Sequence, residues 1–360
     1  GVGVGVGSGG GSGGGFGAGG GVGIGVGVGC GVGFGFGVGF GFGVGFGVGS
    51  GKGKARGRAR RAARLAGSAI SGHGLRAMTS TQSDIEVSYD VSNEFFNLWL
   101  DENMHYTSGS YLTGDETLEQ AQIQKCNILA DYAEVTPDSL VMDIGCGWGS
   151  NLEYLVRERG VKRAHGITLS TAQCEWIDRK KLEGVKAIVC DYKDFAPEEL
   201  YDGLISIEMI DHLCSPEQSR KGMAIDLYRT YFTKVAKWVK PGACFGFQAI
   251  LRNRIPRTRK DLEDLAFTAD VIFPGGLNPR LEELTAAVNP CWEILEVRTQ
   301  RVSYGKTTGE WLRRLRLHED TIRAKWGDQV FIDYERYLDT CVRAFDAHWS
   351  SDVQMKLKKI

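Results

Sequence analysis

The segment Asp143-Ile144-Gly145-Cys146-Gly147-Trp148-Gly149 sets one acid ahead of three alternating glycines. Glycine permits tight turns and leaves no Cβ between the backbone and a ligand. Such a loop, after a strand and before a helix, suits an adenosine-containing cofactor. A dinucleotide site is the main competitor, and two features oppose it. The spacing is G-x-G-x-G, not G-x-G-x-x-G. The acid that a dinucleotide ribose wants about 20 residues further on is missing, because the next strand ends Gly166-Ile167-Thr168-Leu169-Ser170. A second constellation is Glu208-Met209-Ile210-Asp211-His212. Two carboxylates and an imidazole could orient an ammonium, receive its proton, or supply a base near neutral pH. The bland alternative is that Glu208 closes a strand and His212 braces a loop.

No metal centre is expected. Cys126, Cys146, Cys174, Cys190, Cys214, Cys244, Cys291 and Cys341 are scattered, with no C-x-x-C pair. That opposes a zinc site and a disulfide framework, and fits a reducing compartment. No apolar run approaches the roughly 20 residues of a membrane span.

The chain joins two chemically different pieces. Residues 1–50 alternate Gly with Val and Phe, a low-complexity pattern with too few distinct side chains for a core. A basic run follows, with Lys52, Lys54, Arg56, Arg58, Arg60, Arg61, Arg64 and Arg76, and no acid precedes Asp84. An arm over residues 1–83 is therefore expected to be disordered or to target the chain. It reads as an organelle transit peptide, a tail touching nucleic acid or membrane, or a solvated tail. Met78 is a plausible true start. A cytoplasmic location is expected, or a plastid or mitochondrial one if the arm is a transit peptide. From Asp84 onward 35 Lys and Arg face 44 acids, a net of about −9. An acidic body argues against broad nucleic-acid binding.

The elements that must position these residues alternate along the body. Residues 84–101 read as an amphipathic helix, and Asp115–Ala133 as another. Strands are expected at Ser139–Ile144, Arg163–Leu169, Val185–Cys190, Gly203–Ile207 and Cys244–Leu251. Helices are expected at Ser150–Arg159, Thr171–Leu182 and Glu217–Val239, the last broken by Pro241-Gly242. Such alternation implies an α/β fold, with a mostly parallel sheet covered on both faces. Residues 252–290 carry Arg252, Arg254, Arg257, Arg259 and Lys260 and read as a lid insertion. The basic run either meets an anionic acceptor or is a solvated face. A strand at Trp292–Val302, helices at Thr308–Trp326 and Gln329–His348, and a strand at Asp352–Lys358 close the body.

Several segments, in order over residues 86–360, resemble the cyclopropane fatty acid synthase-like methyltransferases and the related coclaurine-type N-methyltransferases. They are Ser88-Tyr89-Asp90-Val91-Ser92-Asn93-Glu94-Phe95-Phe96, Leu100–Thr107, Thr117–Gln122, the Asp143–Gly149 loop, Gly166–Ser170 with Gln173, Phe273-Pro274-Gly275-Gly276, and Ser303-Tyr304. The resemblance implies a Rossmann-like, seven-stranded class I methyltransferase sheet with N-terminal helices, and S-adenosylmethionine as cofactor. It implies that Tyr106 and Thr107 lie near the methionine moiety. Asp143 stands where methyltransferases keep an acid, and Gly145, Gly147 and Gly149 form the backbone cradle. Thr168 and Gln173 would reach the adenosine, and Asp191 and Tyr192 the adenine, although Tyr192 could equally be core filling.

The resemblance further implies a bicarbonate base held by Cys, Glu, His, Ile and Tyr. Those positions fall on Ser108, Asp211, Gln248, Ile250 and Tyr304, so three of the five are altered. Asp is one methylene shorter than Glu, and Gln cannot titrate. That puts bicarbonate, and cyclopropanation with it, in doubt. In the coclaurine-type relatives the acceptor is an amine near the segment that here contains Glu208, Asp211 and His212. The expected function is methyl transfer from S-adenosylmethionine to an unsaturated acyl lipid. The alternative is N- or S-methylation of a small molecule in the altered pocket. A non-catalytic adenosyl-binding scaffold is the third reading, which the intact glycine loop opposes. Lipid acceptors leave room for peripheral membrane contact.

Overall fold

The computed structural model describes residues 92–360. The arm over 1–83 and the Ser88–Val91 part of the first motif lie outside the described residues. A short helix, α1 (Asn93–Asn97), and α2 (Leu118–Tyr132) precede the sheet. Thr117 starts α2 with a capping box, accepting from the Gln120 N–H while the Gln120 side chain accepts from the Thr117 N–H. Within the described residues the first expected helix shrinks to α1. Phe95, Phe96, Trp99 and Leu100 are nevertheless buried, as its apolar side required.

Five parallel strands follow: β1 (Leu140–Ile144), β2 (Arg163–Thr168), β3 (Val185–Val189), β4 (Tyr201–Ile207) and β5 (Val239–Arg252). Helices α3 (Ser150–Arg157) and α4 (Thr171–Arg179) connect the first three. Strands β6 (Trp292–Thr299) and β7 (Ser350–Lys359) complete a seven-stranded sheet of order β3-β2-β1-β4-β5-β7-β6, with β7 antiparallel to both neighbours. The order reverses at β1, where open α/β sheets bind ligands beyond the carboxyl ends of their strands.

The long helix expected over 217–239 is two helices, α5 (Pro216–Arg220) and α6 (Ala224–Ala236). Gly222, at φ +74°, turns the chain between them. Pro241-Gly242 breaks no helix, because β5 has already begun. The β4–β5 register jumps there from Tyr201↔Val239 to Gly203↔Cys244. A bulge tolerates the N–H that proline lacks.

The lid is shorter than expected. It holds α7 (Arg259–Phe267) and a π turn (Thr268–Ile272), but α8 (Leu281–Val288) belongs to the core. Leu284, Ala287 and Val288 pack with Tyr228, Phe232 and Val235 of α6 against one face of the sheet. Cys126, Leu129, Leu152 and Leu155 of α2 and α3 cover the other face. After β6 come α9 (Arg301–Leu317), α10 (Glu319–Trp326) and α11 (Asp328–Asp346). They close over an aromatic cluster of Phe95, Phe96, Trp99, Trp311, Tyr334 and Tyr337. Tyr304 therefore sits inside a helix, not on a loop ahead of one.

Candidate active site

The carboxyl ends of β1–β5, the segment 104–107, the lid and α9 and α11 enclose one cavity of about 640 Å³. Its sheet end is the glycine loop. Gly145, Gly147 and Gly149 have φ of +83°, +54° and +78°, in the left-handed region. A Cβ on Gly145 would lie 2.7 Å from Met209 Cγ, and one on Gly149 would lie 2.6 Å from Ile177 Cγ1. At Gly147 nothing stands within 4 Å, and its backbone faces the cavity. Gly149 does not reach the cavity; it packs against α4 and starts α3.

Asp143 lies buried at the end of β1. Asn151 Nδ2 donates to its Oδ2 (3.1 Å), whereas its Oδ1 has no hydrogen-bond partner. Burial pushes its pKa up to about 6, against the Asn151 hydrogen bond. A buried carboxylate oxygen left open beside a glycine cradle fits the ammonium of an amino-acid moiety. Tyr106, Thr107, Thr168, Gln173, Asp191 and Tyr192 also line the cavity. Thr168 Oγ1 donates to Gln173 Oε1 (2.7 Å), and the Lys193 N–H donates to Asp191 Oδ1 (2.9 Å). The ring of Tyr192 meets Tyr231 edge to face, so it both borders the cavity and fills core. These residues fit an adenosyl cofactor with a methionine end.

The wall formed after β4, whose Met209 lies against Gly145, gathers the titratable groups. Glu208 follows β4 and starts a 3₁₀ turn (Met209–His212) that carries Asp211 and His212. Glu208 Oε1 accepts from the Ser108 N–H (3.0 Å) and Gln248 Nε2 (2.8 Å), and Oε2 accepts from the Tyr304 hydroxyl (2.7 Å). Burial raises the Glu208 pKa, opposed by those donors. Asp211 lies well above the usual carboxylate range, through burial first and the Glu208 charge second. Its Oδ2 accepts from the Ile250 N–H (3.4 Å), and its Oδ1 has no partner. The His212 ring borders the cavity, and desolvation lowers its pKa to about 4. It is therefore neutral near pH 7. Glu208, Asp211, His212, Ile250 and Tyr304 face the cavity, whereas Ser108 and Gln248 stand behind Glu208.

Sequence reasoning missed Lys125 and Asp352. Lys125 is buried on the inner stripe of α2, with Leu118, Ala121, Gln122 and Leu129. Its Nζ donates to Thr107 Oγ1 (2.8 Å) at the cavity wall. A lysine on an apolar stripe was the legible signal. Asp352 is fully buried on β7, and neither carboxylate oxygen has a hydrogen-bond partner. Burial, then Glu208 and Asp211, raise its pKa well above normal. Two residues along, Gln354 donates to Gln248 Oε1 (2.8 Å). This buried polar face of β7 has period two, which the alternation of Val353, Met355 and Leu357 on the other face implied.

Residues 76–355 match the family model for mycolic acid cyclopropane synthetase. The chain belongs to that family. A probable fatty acid methyltransferase of Pseudomonas putida is 28% identical over 271 residues, covering 74% of this chain and 66% of that relative. Cyclopropane mycolic acid synthase 2 of Mycobacterium tuberculosis is 26% identical, with 75% of this chain and 92% of the relative covered. Among solved structures, the cyclopropane synthase MmaA2 of Mycobacterium tuberculosis superposes with a TM-score of 0.72 at 24% identity, covering 79% of this chain and all of that one. Coclaurine N-methyltransferase, solved with N-methylheliamine and S-adenosylhomocysteine, gives 0.62 at 18% identity, covering 80% and 89%. Both share the class I methyltransferase fold. The chain is an S-adenosylmethionine-dependent methyltransferase.

Proposed function

We propose that this enzyme methylates an unsaturated acyl chain of a lipid. The observation that carries the reading is the apolar part of the cavity wall. That part of the wall carries Ile250, Leu262, Leu265, Phe273, Leu277 and Phe345, apolar side chains lining the same cavity as the glycine loop. Such a wall removes an acyl chain from water at roughly 25 cal/mol per Å². Arg254 and Ile255 line the cavity and are exposed, where an anionic head group could rest. S-adenosylmethionine supplies a methyl on a sulfonium, already a strong electrophile. The protein's residues then orient the acceptor, exclude water and receive a proton.

A second reading is an amine acceptor. Asp211 supports it, because its Oδ1 faces no donor at the cavity edge. One experiment separates them. Purified enzyme with methyl-labelled cofactor is offered unsaturated phospholipid and a panel of amines, and products are resolved by mass. Label in methyl-branched or cyclopropane acyl chains is the expected result. Label on amines alone would overturn the lipid reading.

A further inference from the structure

Glu208 holds φ +59°, ψ +15°, a left-handed conformation that costs a non-glycine residue about 1–2 kcal/mol. Its carboxylate is held there by donors from three separate parts of the chain. They are Ser108 N–H ahead of α2, Gln248 Nε2 on β5 and the Tyr304 hydroxyl on α9, all within 3.0 Å. The donors are themselves held. Gln354 Nε2 donates to Gln248 Oε1 (2.8 Å), Gln300 Nε2 to Gln354 Oε1 (3.0 Å), and Ser303 Oγ to Gln300 Oε1 (2.8 Å). A fully connected buried network fixes its members tightly.

Ser108, Gln248 and Tyr304 are three of the five positions at which the family resemblance implies a free bicarbonate. The other two, Asp211 and Ile250, bond to each other. The niche therefore holds a carboxylate already, with its donors committed. Bicarbonate does not fit: it would displace those bonds and face the Glu208 charge in a poorly solvated site. We propose that the Glu208 carboxylate takes the place of bicarbonate and serves as the enzyme's built-in base. This rests on the alkene reading of the acceptor.

The step balances as follows. The alkene π pair forms the new bond to the transferred methyl, and the carbon–sulfur bond breaks with its pair going to sulfur. The neighbouring alkene carbon is left cationic. Glu208 takes one proton, either from the transferred methyl, whose C–H pair then closes a three-membered ring onto the cation, or from a carbon next to the cation, whose C–H pair then forms a double bond. Oε2, which accepts from Tyr304 alone, keeps a lone pair for that proton. The proton returns to solvent when product leaves.

The test uses the full chain and two readouts. In ¹³C NMR, labelled bicarbonate should show no saturable binding to the wild type, and lipid methylation should not change when carbonate is stripped or restored. Glu208→Gly relieves the left-handed strain and opens the niche. It should lose about 10²–10⁴-fold in turnover, bind labelled bicarbonate, and regain turnover with added bicarbonate or formate. S-adenosylhomocysteine affinity should stay within about threefold by calorimetry, under 1 kcal/mol. Glu208→Gln, which keeps the shape without the charge, should be slow and not rescued. Saturable bicarbonate binding to the wild type, or full activity of Glu208→Gly without added anion, would overturn the proposal. If the wild type methylates no alkene, the acceptor reading fails on its own, and the NMR arm still decides what the niche holds.

Discussion

At the residue scale, Asp143 combines a cost in stability with a use in binding. A free aspartate titrates near 3.9, whereas burial carries folded Asp143 up to about 6. A raised carboxyl pKa means the folded state holds the proton more tightly than the unfolded chain. Stability is then fullest below pH ~4 and falls as pH rises to ~6, staying reduced above that. Asp143→Asn removes the penalty and keeps the shape. In the cofactor-free protein it should raise stability at pH 7.5 by on the order of 2 kcal/mol. It should also flatten the dependence of the melting temperature between pH 4 and 6. The same variant loses the open oxygen at the glycine loop. Its S-adenosylhomocysteine affinity should fall at least about tenfold, or ~1.4 kcal/mol. Thermal melts across pH and a calorimetric titration check both halves. A variant that binds as well as the wild type would show that Asp143 faces no ligand group.

At the element scale, the lid helix α7 is fastened through one carboxylate. Asp264 accepts from Lys260 (2.5 Å) and Arg343 (2.8 Å) on Oδ2, and from Arg336 (2.9 Å) on Oδ1. Burial alone would raise its pKa, but Lys260, Arg336 and Arg343 together hold it down at about 2. The cluster ties the lid to α11. Asp264→Asn should cost roughly 1.5–3 kcal/mol and raise KM for an acyl acceptor. Cofactor affinity should hold, because the Asp264 cluster joins α7 to α11 and not to the glycine loop. Equal losses for both ligands would mean that the whole cavity, not the lid, has loosened. The sequence showed the lid's existence but not its extent. Its charged residues are interleaved with Leu262, Leu265, Phe267 and Phe273, and the short apolar helix from Leu281 reads the same whether it caps a site or fills a core. The two helices α5 and α6 read as one in the sequence because only Lys221, Gly222 and Met223 separate them, and the left-handed φ of Gly222 marks the turn. The strand-helix alternation was legible because buried parallel strands read as short apolar runs. The glycine loop was legible because its backbone needs cannot be met by other residues. The Glu208 niche was not. Its members lie up to 196 positions apart, from Ser108 to Tyr304, so only folding brings them together.

At the scale of the whole molecule, the cavity is where separate parts of the chain meet. Residues 104–107 precede the sheet, the glycine loop and Glu208 end its strands, and Tyr304, Tyr337 and Phe345 come from the closing helices. No one of these parts forms the site alone, so a bound ligand links them. S-adenosylhomocysteine at about a hundred times its Kd should add ~2.7 kcal/mol of stability, a rise of roughly 5 °C in Tm. Hydrogen exchange locates that gain. Protection should appear together at 104–107, at 144–150 and at 190–193, which line the cofactor end. The lid helix α7 should stay as exchangeable as in the free protein, because its cavity-lining residues Leu262 and Leu265 belong to the apolar wall; Phe273, which meets the Tyr106 ring, is the lid residue nearest the cofactor set. Adding a long-chain amphiphile should then slow exchange in the lid and at 337–350 without altering the first set. Simultaneous protection of both ends by S-adenosylhomocysteine alone would mean that the lid closes on the cofactor. The apolar wall would then be shaped before any lipid arrives.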